Sequence, residues 1–403
     1  MPPFTIINAR VLTMAGRTGS RRGAAAGDLG VIERGYVRVL DGRIEDVGHG
    51  EPAGPLGSVV DAQGCVLLPG FVDCHTHACW AGDRYDEADQ RLAGVAYLTI
   101  LERGGGIMST VRATRAASQS ELAALTLGRL REAAGLGTTT IEVKSGYGLT
   151  PDDELKMLRA IHEAARSTPQ MVRATFLGAH AKDPAHPDFV RETIEVTLPR
   201  AVAAFPGIVC DAFCEQGAWS LDECLQLFAH ARRLGCPVRV HADQFHALGM
   251  TSAAVEMGAL SVDHLEASTN VEIARLASSA TIGVALPGCG FHLDGRFAPA
   301  RALLDQNGAL AIATNCNPGS SPTLSMAFVI ALAVRHLELT PAEAIVAATI
   351  NAACVLGLDD RVGSIERGKR ADLQLLASHD ERSLAYQYAG SGPRHVWIAG
   401  TPV

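Results

Sequence analysis

Eight apolar, strand-like runs alternate with helical segments through the middle of the chain, and this alternation constrains the fold more than any other feature. The first run begins at Phe71, and a helical pattern over residues 122–134 then leads into a β-rich run. The seven later runs cover residues 138–143, 175–178, 209–213, 238–241, 261–264, 282–286 and 309–313. Repeated β/α units build parallel sheets, so eight of them predict an α/β fold, a closed (β/α)8 TIM barrel.

The two ends of the chain have a different sequence pattern, with short β-rich segments and turns. Residues 36–40 and 43–47 flank Asp41-Gly42, a dipeptide typical of hairpin turns. β-Rich segments return near the end of the chain, at residues 368–376 and 395–400. We expect these segments to pair with the strands from the beginning of the chain.

This difference in sequence pattern divides the chain into two predicted domains. Residues 1–65 and 357–403 are expected to form a small β-sandwich-like domain, and residues 66–356 the barrel, which ends with a helix over residues 341–356. Residues 16–30 are rich in Gly, Arg and Ala, and we expect a mobile loop there.

Composition excludes several function classes. A formal charge of -8 argues against nucleic-acid binding, because phosphate contacts need clustered Lys and Arg. The basic pairs Arg21-Arg22 and Lys369-Arg370 are short and are expected to be solvated. No apolar stretch reaches the roughly 18 residues that span a bilayer, and the first residues lack the pattern of a secretory signal. Scattered cysteines without a CxxC pair favour reduced thiols, so we expect a cytoplasmic protein with neither nucleic acid nor membrane as a partner.

Histidines stand at the ends of several predicted strands. His75-Thr76-His77 directly follows the first one, and residues i and i+2 of an extended segment point to the same side. Both imidazoles can therefore reach one metal ion. His180, His241 and His264 follow or close later strands. Since the carboxyl ends of barrel strands carry catalysis, five histidines there predict a metal site rather than satisfied core residues.

Six short motifs occur in a fixed order along the barrel region. They are His75-Thr76-His77, Gly104-Gly105-Gly106-Ile107, Ser145-Gly146-Tyr147-Gly148, His241-Ala242-Asp243-Gln244, Asp263-His264 and Asn317-Pro318-Gly319-Ser320-Ser321-Pro322. In this combination the chain resembles the imidazolonepropionases, amidohydrolases of histidine degradation that open an imidazolone ring. The resemblance extends from about residue 42 to residue 376, and it implies a TIM barrel of the amidohydrolase type.

The resemblance also implies roles for individual residues. One divalent metal ion, zinc or iron, would be held by His75, His77, His241 and Asn315. The proton of an attacking water would be handled by His264, with Gln244 and Asn315 at the neighbouring catalytic positions. The positions that hold the substrate and its propionate are matched by Arg91, Tyr97, Tyr147 and His180. A homodimer is a further expectation from the family.

Two of these residues also carry an interpretation of their own. A carboxylate is well recognised by a guanidinium group with two donors, which suits Arg91. The alternative for Arg91 is a surface ion pair with a nearby acid such as Asp86, Glu87 or Asp89. Tyr147 lies between two glycines in a loop that a ligand can approach, and its alternative is ordinary packing.

Two neutral residues depart from the pattern of the family. The family carries an aspartate where this chain has Asn315, and some relatives place a glutamate where it has Gln244. Asparagine cannot act as a base and is a poorer metal ligand than aspartate. Three neutral histidines nevertheless leave a zinc ion its full charge, and such sites lower the pKa of a bound water to about 7.

The sequence therefore predicts a hydrolase of cyclic carbon–nitrogen bonds, in which water attacks C2 of an imidazolone ring that carries a propionate arm. The neutral residue Asn315 leaves alternatives open. One is a paralogue that acts on a 2-thioxo ring, as a desulfhydrase, or on an N-methylated ring. Another, from a different class, is a catalytically impaired binding protein or a substrate-trapping variant.

Overall fold

Five strands precede the barrel in the computed structural model, which describes residues 2–95, 99, 105–388, 390 and 392–403. They are β1 Phe4–Leu12, β2 Val31–Leu40, β3 Arg43–His49, β4 Ser58–Asp61 and β5 Val66–Pro69. β2 and β3 form the predicted hairpin, with Leu40 paired to Arg43 across the turn. β1 pairs antiparallel with β2 and parallel with β4 and β5.

Eight strands form the barrel. They are β6 Phe71–Asp73, β7 Thr138–Lys144, β8 Met171–Ala179, β9 Val209–Cys214, β10 Val240–Ala242, β11 Ser261–His264, β12 Ile282–Ala285 and β13 Leu310–Ile312. Each pairs in parallel with the next, from β6 to β13. Beyond β13 the chain meets the end of β6, because Asn315 N donates to His75 O at 3.0 Å and His77 N donates to Cys316 O at 2.9 Å. The predicted barrel is confirmed.

The barrel strands are buried on both faces, as parallel strands are. All seven residues of β7 are buried, and β-branched residues such as Thr139 and Ile141 favour its extended backbone. Glu142 and Lys144 in the same strand are charged and fully buried, so their partners must lie inside the protein.

The last three strands, β14 Leu373–Leu375, β15 His395–Ile398 and β16 Thr401–Pro402, join those from the start of the chain. β14 pairs antiparallel with β5, and a single eight-stranded sheet results. Its core includes Ile6, Val37 and Trp397. Since β5 belongs to this sheet, the predicted border at residue 65 is corrected: the barrel begins after Gly70.

Helices stand between the barrel strands and after them along the chain. They are α1 Tyr85–Leu92, α2 Ile107–Ala116, α3 Gln119–Gly135, α4 Pro151–Arg166, α5 Phe189–Glu192, α6 Leu198–Ala204, α7 Leu221–Arg233, α8 Met250–Met257, α9 Asn270–Ala277, α10 Pro287–His292, α11 Ala300–Asp305, α12 Met326–His336, α13 Pro341–Ala347, α14 Ile350–Val355 and α15 Ser383–Tyr386. A π turn, Thr193–Thr197, joins α5 to α6. The helix predicted over residues 341–356 is two helices, because Thr349 has a non-helical backbone at φ -129 and ψ -95. None of the described helices is both long enough and apolar enough to cross a lipid bilayer.

Residues 16–30 do not form the free loop that was expected. They contain a 3-10 turn, Gly23–Gly27, and Arg21 is only 1% exposed. Arg21 Nη2 donates to Met14 O at 2.6 Å, and its backbone N donates to Asn351 Oδ1 at 2.6 Å. Lys369 is also bound rather than solvated, since its Nζ donates to Ser364 Oγ at 2.5 Å. Both basic pairs thus contain a residue that holds neighbouring backbone or side chains in place.

Candidate active site

Five histidines meet at the carboxyl end of the barrel. His75 and His77 follow β6, His241 lies in β10, and His264 ends β11. Ring nitrogens of His75, His241 and His264 lie within 4.8 Å of one another. His77 joins the group through His241, because their Nε2 atoms are 3.3 Å apart, and His180 stacks on His77 with ring centroids 4.8 Å apart.

Two buried carboxylates orient the histidines. His75 Nδ1 donates to Asp263 Oδ2 at 2.6 Å, and His241 Nδ1 donates to Asp211 Oδ1 at 3.1 Å. A proton fixed on Nδ1 leaves the lone pair on Nε2, which is the arrangement that metal-binding histidines adopt. Nε2 of His75 is buried and has no hydrogen-bond partner among the described residues.

A chain of buried ion pairs connects these two carboxylates below the histidines. Arg239 contacts both Asp263 and Glu142, with Nη1 at 2.7 Å from Glu142 Oε1. Lys144 Nζ lies 2.8 Å from Glu142 Oε2 and 2.8 Å from Asp211 Oδ2. This buried network holds three carboxylates against two cations, so it favours an additional positive charge nearby.

Burial keeps the histidines neutral. It lowers the pKa of His75 and His77 well below the usual value, with the cations and rings around them adding to the effect, and it also lowers the pKa of His241. Burial alone would raise the pKa of Asp211, but His241 and Lys144 together hold it well below its usual value. Neutral imidazoles above anionic partners are in the protonation state that metal ligation requires.

The two neutral residues noted in the sequence both line this region. Asn315 is 2% exposed, and its Oδ1 has no hydrogen-bond partner within the part of the chain that is described. Gln244 Nε2 donates to Cys289 Sγ at 3.2 Å. Neutral imidazoles, an unpartnered amide oxygen and an excess of negative charge below them together fit a divalent metal ion.

The pKa of His264 is shifted in the opposite direction from that of the other histidines of the site. Burial by itself would lower its pKa, but the charge of Glu266 and a hydrogen bond with Cys289 raise it to about 10. His264 Nδ1 lies 3.3 Å from Glu266 Oε1, so an Nδ1–H group can donate to this carboxylate. Its backbone has φ 88, which is rare outside glycine and indicates that the surrounding contacts hold the ring in place.

A cavity of about 410 Å³ opens above the histidines. Its described lining is His77, Arg84, Arg91, Ile107, Tyr147, His180, Phe213, His241, Gln244, Phe245, His264, Leu293, Asp294, Asn315, Asn317, Gly319 and Ser320. We call His77, His241, His264 and Asn315 the histidine wall, and Arg84 and Arg91 the arginine wall. His75 lies behind the histidine wall and is fully buried.

The loop that carries Tyr147 is held by one carboxylate. Glu154 in α4 accepts hydrogen bonds from the backbone N–H groups of Gly146, Gly148 and Leu149, at 2.8 to 3.0 Å. Gly146 has φ 111, and a Cβ there would lie 2.8 Å from Leu177 O, so only glycine fits. Burial raises the pKa of Tyr147, and its hydroxyl has no hydrogen-bond partner among the described residues, so it can bind a ligand.

The arginine wall contains one residue that the sequence singled out and one that it did not. Arg91 Nη2 donates to His292 Nε2 at 2.8 Å and makes no ion pair within the described chain, so the surface ion pair weighed for it is absent. Glu87, one of the acids considered, instead pairs with Arg84 at 2.5 Å. Arg84 lies against Gly319, where a Cβ would come 2.8 Å from its Nη1.

Several site residues were missed from the sequence or cannot be placed. Arg84 was missed, although a second arginine soon after His75-Thr76-His77 was an available signal. The ion network was also missed, although Glu142 and Lys144 stand two positions apart in a strand that is otherwise uncharged. Tyr97 and Gly104 lie outside the described residues.

Comparisons with known proteins agree with this arrangement. Residues 66–403 match the model of the amidohydrolase family. The chain is 46% identical to the imidazolonepropionase of Herpetosiphon aurantiacus, over 92% of this chain and 90% of that protein. It is also 46% identical to the imidazolonepropionase of Deinococcus radiodurans, over 95% of this chain and 96% of that protein.

Solved structures with much lower identity share the fold. The 5-methylcytosine deaminase of Klebsiella pneumoniae is similar with a TM-score of 0.75 at 15% identity, over 99% of this chain and 97% of that one. An adenosine deaminase of Xanthomonas campestris with bound zinc gives a TM-score of 0.68 at 21% identity, over 99% and 92%. On the family match and the identity to its relatives, the chain belongs to the amidohydrolase family and, within it, to the imidazolonepropionases.

Proposed function

We propose that this protein is a metal-dependent hydrolase that opens the ring of imidazolone propionate. One observation carries the proposal: a histidine wall and an arginine wall line the same cavity, whose volume of about 410 Å³ suits a small molecule. A compact polar ring with a carboxylate arm satisfies both walls at once. Relatives with 46% identity are imidazolonepropionases, which supports the same substrate.

The arginine wall would bind the carboxylate arm. A guanidinium group offers several N–H donors that match the two oxygens of a carboxylate. Arg91 has no competing carboxylate among the described residues, whereas Arg84 shares its charge with Glu87. The free hydroxyl of Tyr147 lines the same cavity and adds a further donor.

The ring would lie against Gln244 and Asn315. A carboxamide group both donates and accepts hydrogen bonds, as does a ring that contains an amide. These two residues therefore suit the binding and orientation of the ring more than the transfer of its protons. The unpartnered Oδ1 of Asn315 is an acceptor in need of a donor or a cation.

The residues present fit one divalent ion, and we propose zinc or iron held by His75, His77 and His241, with Asn315 beside them. When bound, such an ion supplies Lewis acidity that activates a water molecule. The buried carboxylates behind His75 and His241 keep these imidazoles oriented, and burial keeps them neutral.

Proton transfer would fall to His264. Glu266 and Cys289 raise the pKa of His264 and so favour a proton on its ring. We propose that it donates this proton to the ring nitrogen that leaves as the carbon–nitrogen bond breaks. Glu266 stabilises the protonated form, so His264 would serve as the acid of the reaction rather than as a base from the start.

We also propose a cytoplasmic location, which the cysteines support. All ten are free thiols, and nine of them are buried. A homodimer, with a small carboxylate-bearing molecule as substrate, remains our expectation from the family.

The experiment is turnover of imidazolone propionate by the metal-loaded protein, followed by the loss of ring absorbance. We expect ordinary enzyme rates, roughly 1–1000 per second. A methyl-substituted imidazolone without the carboxylate arm is the control substrate and should react far more slowly. Metal removal with a chelator should abolish turnover, and metal addition should restore it.

The Asn315→Asp variant separates this proposal from an impaired or trapping protein. If the parent protein is active, the variant should change turnover by no more than about tenfold. The proposal would be contradicted if the parent protein were inactive and the Asn315→Asp variant gained turnover by orders of magnitude. It would show that Asn315 blocks the reaction.

A further inference from the structure

A second cavity, of about 620 Å³, opens at the amino-terminal end of the barrel strands. It is lined by residues 172–175 of β8, by His162 and Arg166 near the end of α4, by residues 204–209, and by residues 355–357. The histidines lie at the carboxyl ends of the parallel strands. The two cavities therefore lie toward opposite ends of the barrel, and the second takes no part in the proposed reaction.

The second cavity carries excess positive charge. Arg166 and Arg173 line it, both are exposed, and neither makes a hydrogen bond or an ion pair within the described chain. Glu142 is the one carboxylate in its described lining. That carboxylate is already bound by Lys144, by Arg239 and by Thr175 Oγ1 at 2.5 Å. The two exposed arginines are thus left without an anion.

The floor of the cavity contains an unsatisfied buried donor. Arg239 lines the cavity and is 1% exposed, and its Nε–H has no acceptor among the described residues. A buried donor without a partner destabilises a protein. A third guanidinium group therefore lies in the floor of the same cavity.

The rest of the wall is apolar and partly aromatic. The ring centroids of His162 and Phe205 are 4.5 Å apart, with the rings nearly parallel at 24°. Val172, Ile208 and Leu260 continue the apolar surface. His162 Nδ1 donates to Leu158 O at 2.8 Å, so the ring is fixed as part of the wall.

We propose that this cavity binds a small organic carboxylate that carries a planar ring. The carboxylate would pair with Arg166 and Arg173, and the ring would pack on the His162–Phe205 stack. Guanidinium groups recognise carboxylates with two parallel hydrogen bonds, and the cavity volume lies within the usual range for small-molecule sites. The apolar wall favours a ring-bearing monoanion over an inorganic anion, which would have nothing to place against it.

The test is calorimetric titration of the metal-loaded protein with benzoate, with benzamide as the uncharged control. The Arg84→Ala/Arg91→Ala double variant removes the arginine wall, so that benzoate can no longer bind through those two guanidinium groups. In that background we expect benzoate to bind at one site and benzamide to bind at least tenfold more weakly. Adding Arg166→Ala and Arg173→Ala should weaken benzoate binding by about 10-fold or more, as expected when charged hydrogen bonds are lost.

Arg159→Ala is the matched control, because Arg159 is an exposed arginine in the same helix, α4, outside the cavity. It should leave benzoate affinity unchanged. All of these arginines are partly or fully exposed, and an unchanged melting temperature verifies the fold of each variant. The proposal is overturned if benzoate binding disappears with the arginine wall, if benzamide binds equally well, or if the Arg166→Ala/Arg173→Ala changes have no effect.

Discussion

The histidine wall and the arginine wall belong to one cavity but are built differently. The histidines stand on barrel strands or directly after them, and buried carboxylates fix His75 and His241 from behind. Arg84 and Arg91 stand at the start and in the last turn of α1, a helix with no buried residue. One wall is therefore held by the core, and the other lies on a peripheral element.

This difference indicates that one wall binds the metal ion and the other binds the carboxylate arm of the substrate. A metal site needs ligand atoms fixed within a few tenths of an ångström, which buried strands and hydrogen-bonded carboxylates provide. A carboxylate arm tolerates more variation, because guanidinium groups on long side chains adjust to it. Substitution of the metal-binding histidines His75, His77 and His241 should therefore remove the metal ion, and substitution in the arginine wall should lower affinity for substrate alone.

The largest effect is expected from His75→Ala. It removes an imidazole that is hydrogen-bonded to Asp263. We expect metal content to fall from about one ion per chain to almost none. Asp263→Asn should have a smaller effect and weaken metal affinity by about 10–100-fold, as loss of an outer partner does. Metal analysis after dialysis measures both. His230→Ala is the control, because His230 lies in α7 and does not line the cavity. Full metal occupancy in His75→Ala would refute the assignment.

Replacement of either arginine should have an intermediate effect that leaves the metal site intact. Arg91→Ala and Arg84→Ala should each raise KM for imidazolone propionate by roughly 10–100-fold, since a hydrogen bond to a charged group contributes about 1.5–3 kcal/mol. Metal content and the rate with the arm-free imidazolone should stay unchanged. A fall in kcat with unchanged KM in both variants would place the carboxylate elsewhere.

The smallest effect is expected from Glu87→Gln. It removes the carboxylate that shares the charge of Arg84, while the amide oxygen of the new side chain can still accept the hydrogen bond from Gly106 N. A partly exposed ion pair contributes about 0.2–1 kcal/mol, so KM should fall by roughly 2–5-fold. Steady-state kinetics measure this, with the exposed Asp89→Asn in the same helix as control. An increase in KM would mean that Glu87 positions Arg84 rather than competing for it.

Much of the fold and half of the site could be read from the sequence. Strand-like runs separated by helices predicted all eight barrel strands, because burial on both faces requires apolar, β-branched residues. The same argument placed the five histidines, since side chains at the ends of parallel strands must gather at one end of the barrel. These predictions depend only on periodicity and chain order, which are properties of the sequence itself.

Only the tertiary structure decided which residues pair. Arg239 meets Glu142, which is 97 positions away in sequence, and His75 meets Asp263 across 188 positions. Arg21 was expected to be solvated but is buried, because its segment folds over the barrel and reaches Asn351. Arg84, the second cavity and the placement of β5 in the sheet of the chain ends likewise depend on contacts between distant segments. Local sequence determines which elements form, whereas the partners of a buried charge are set by how those elements pack.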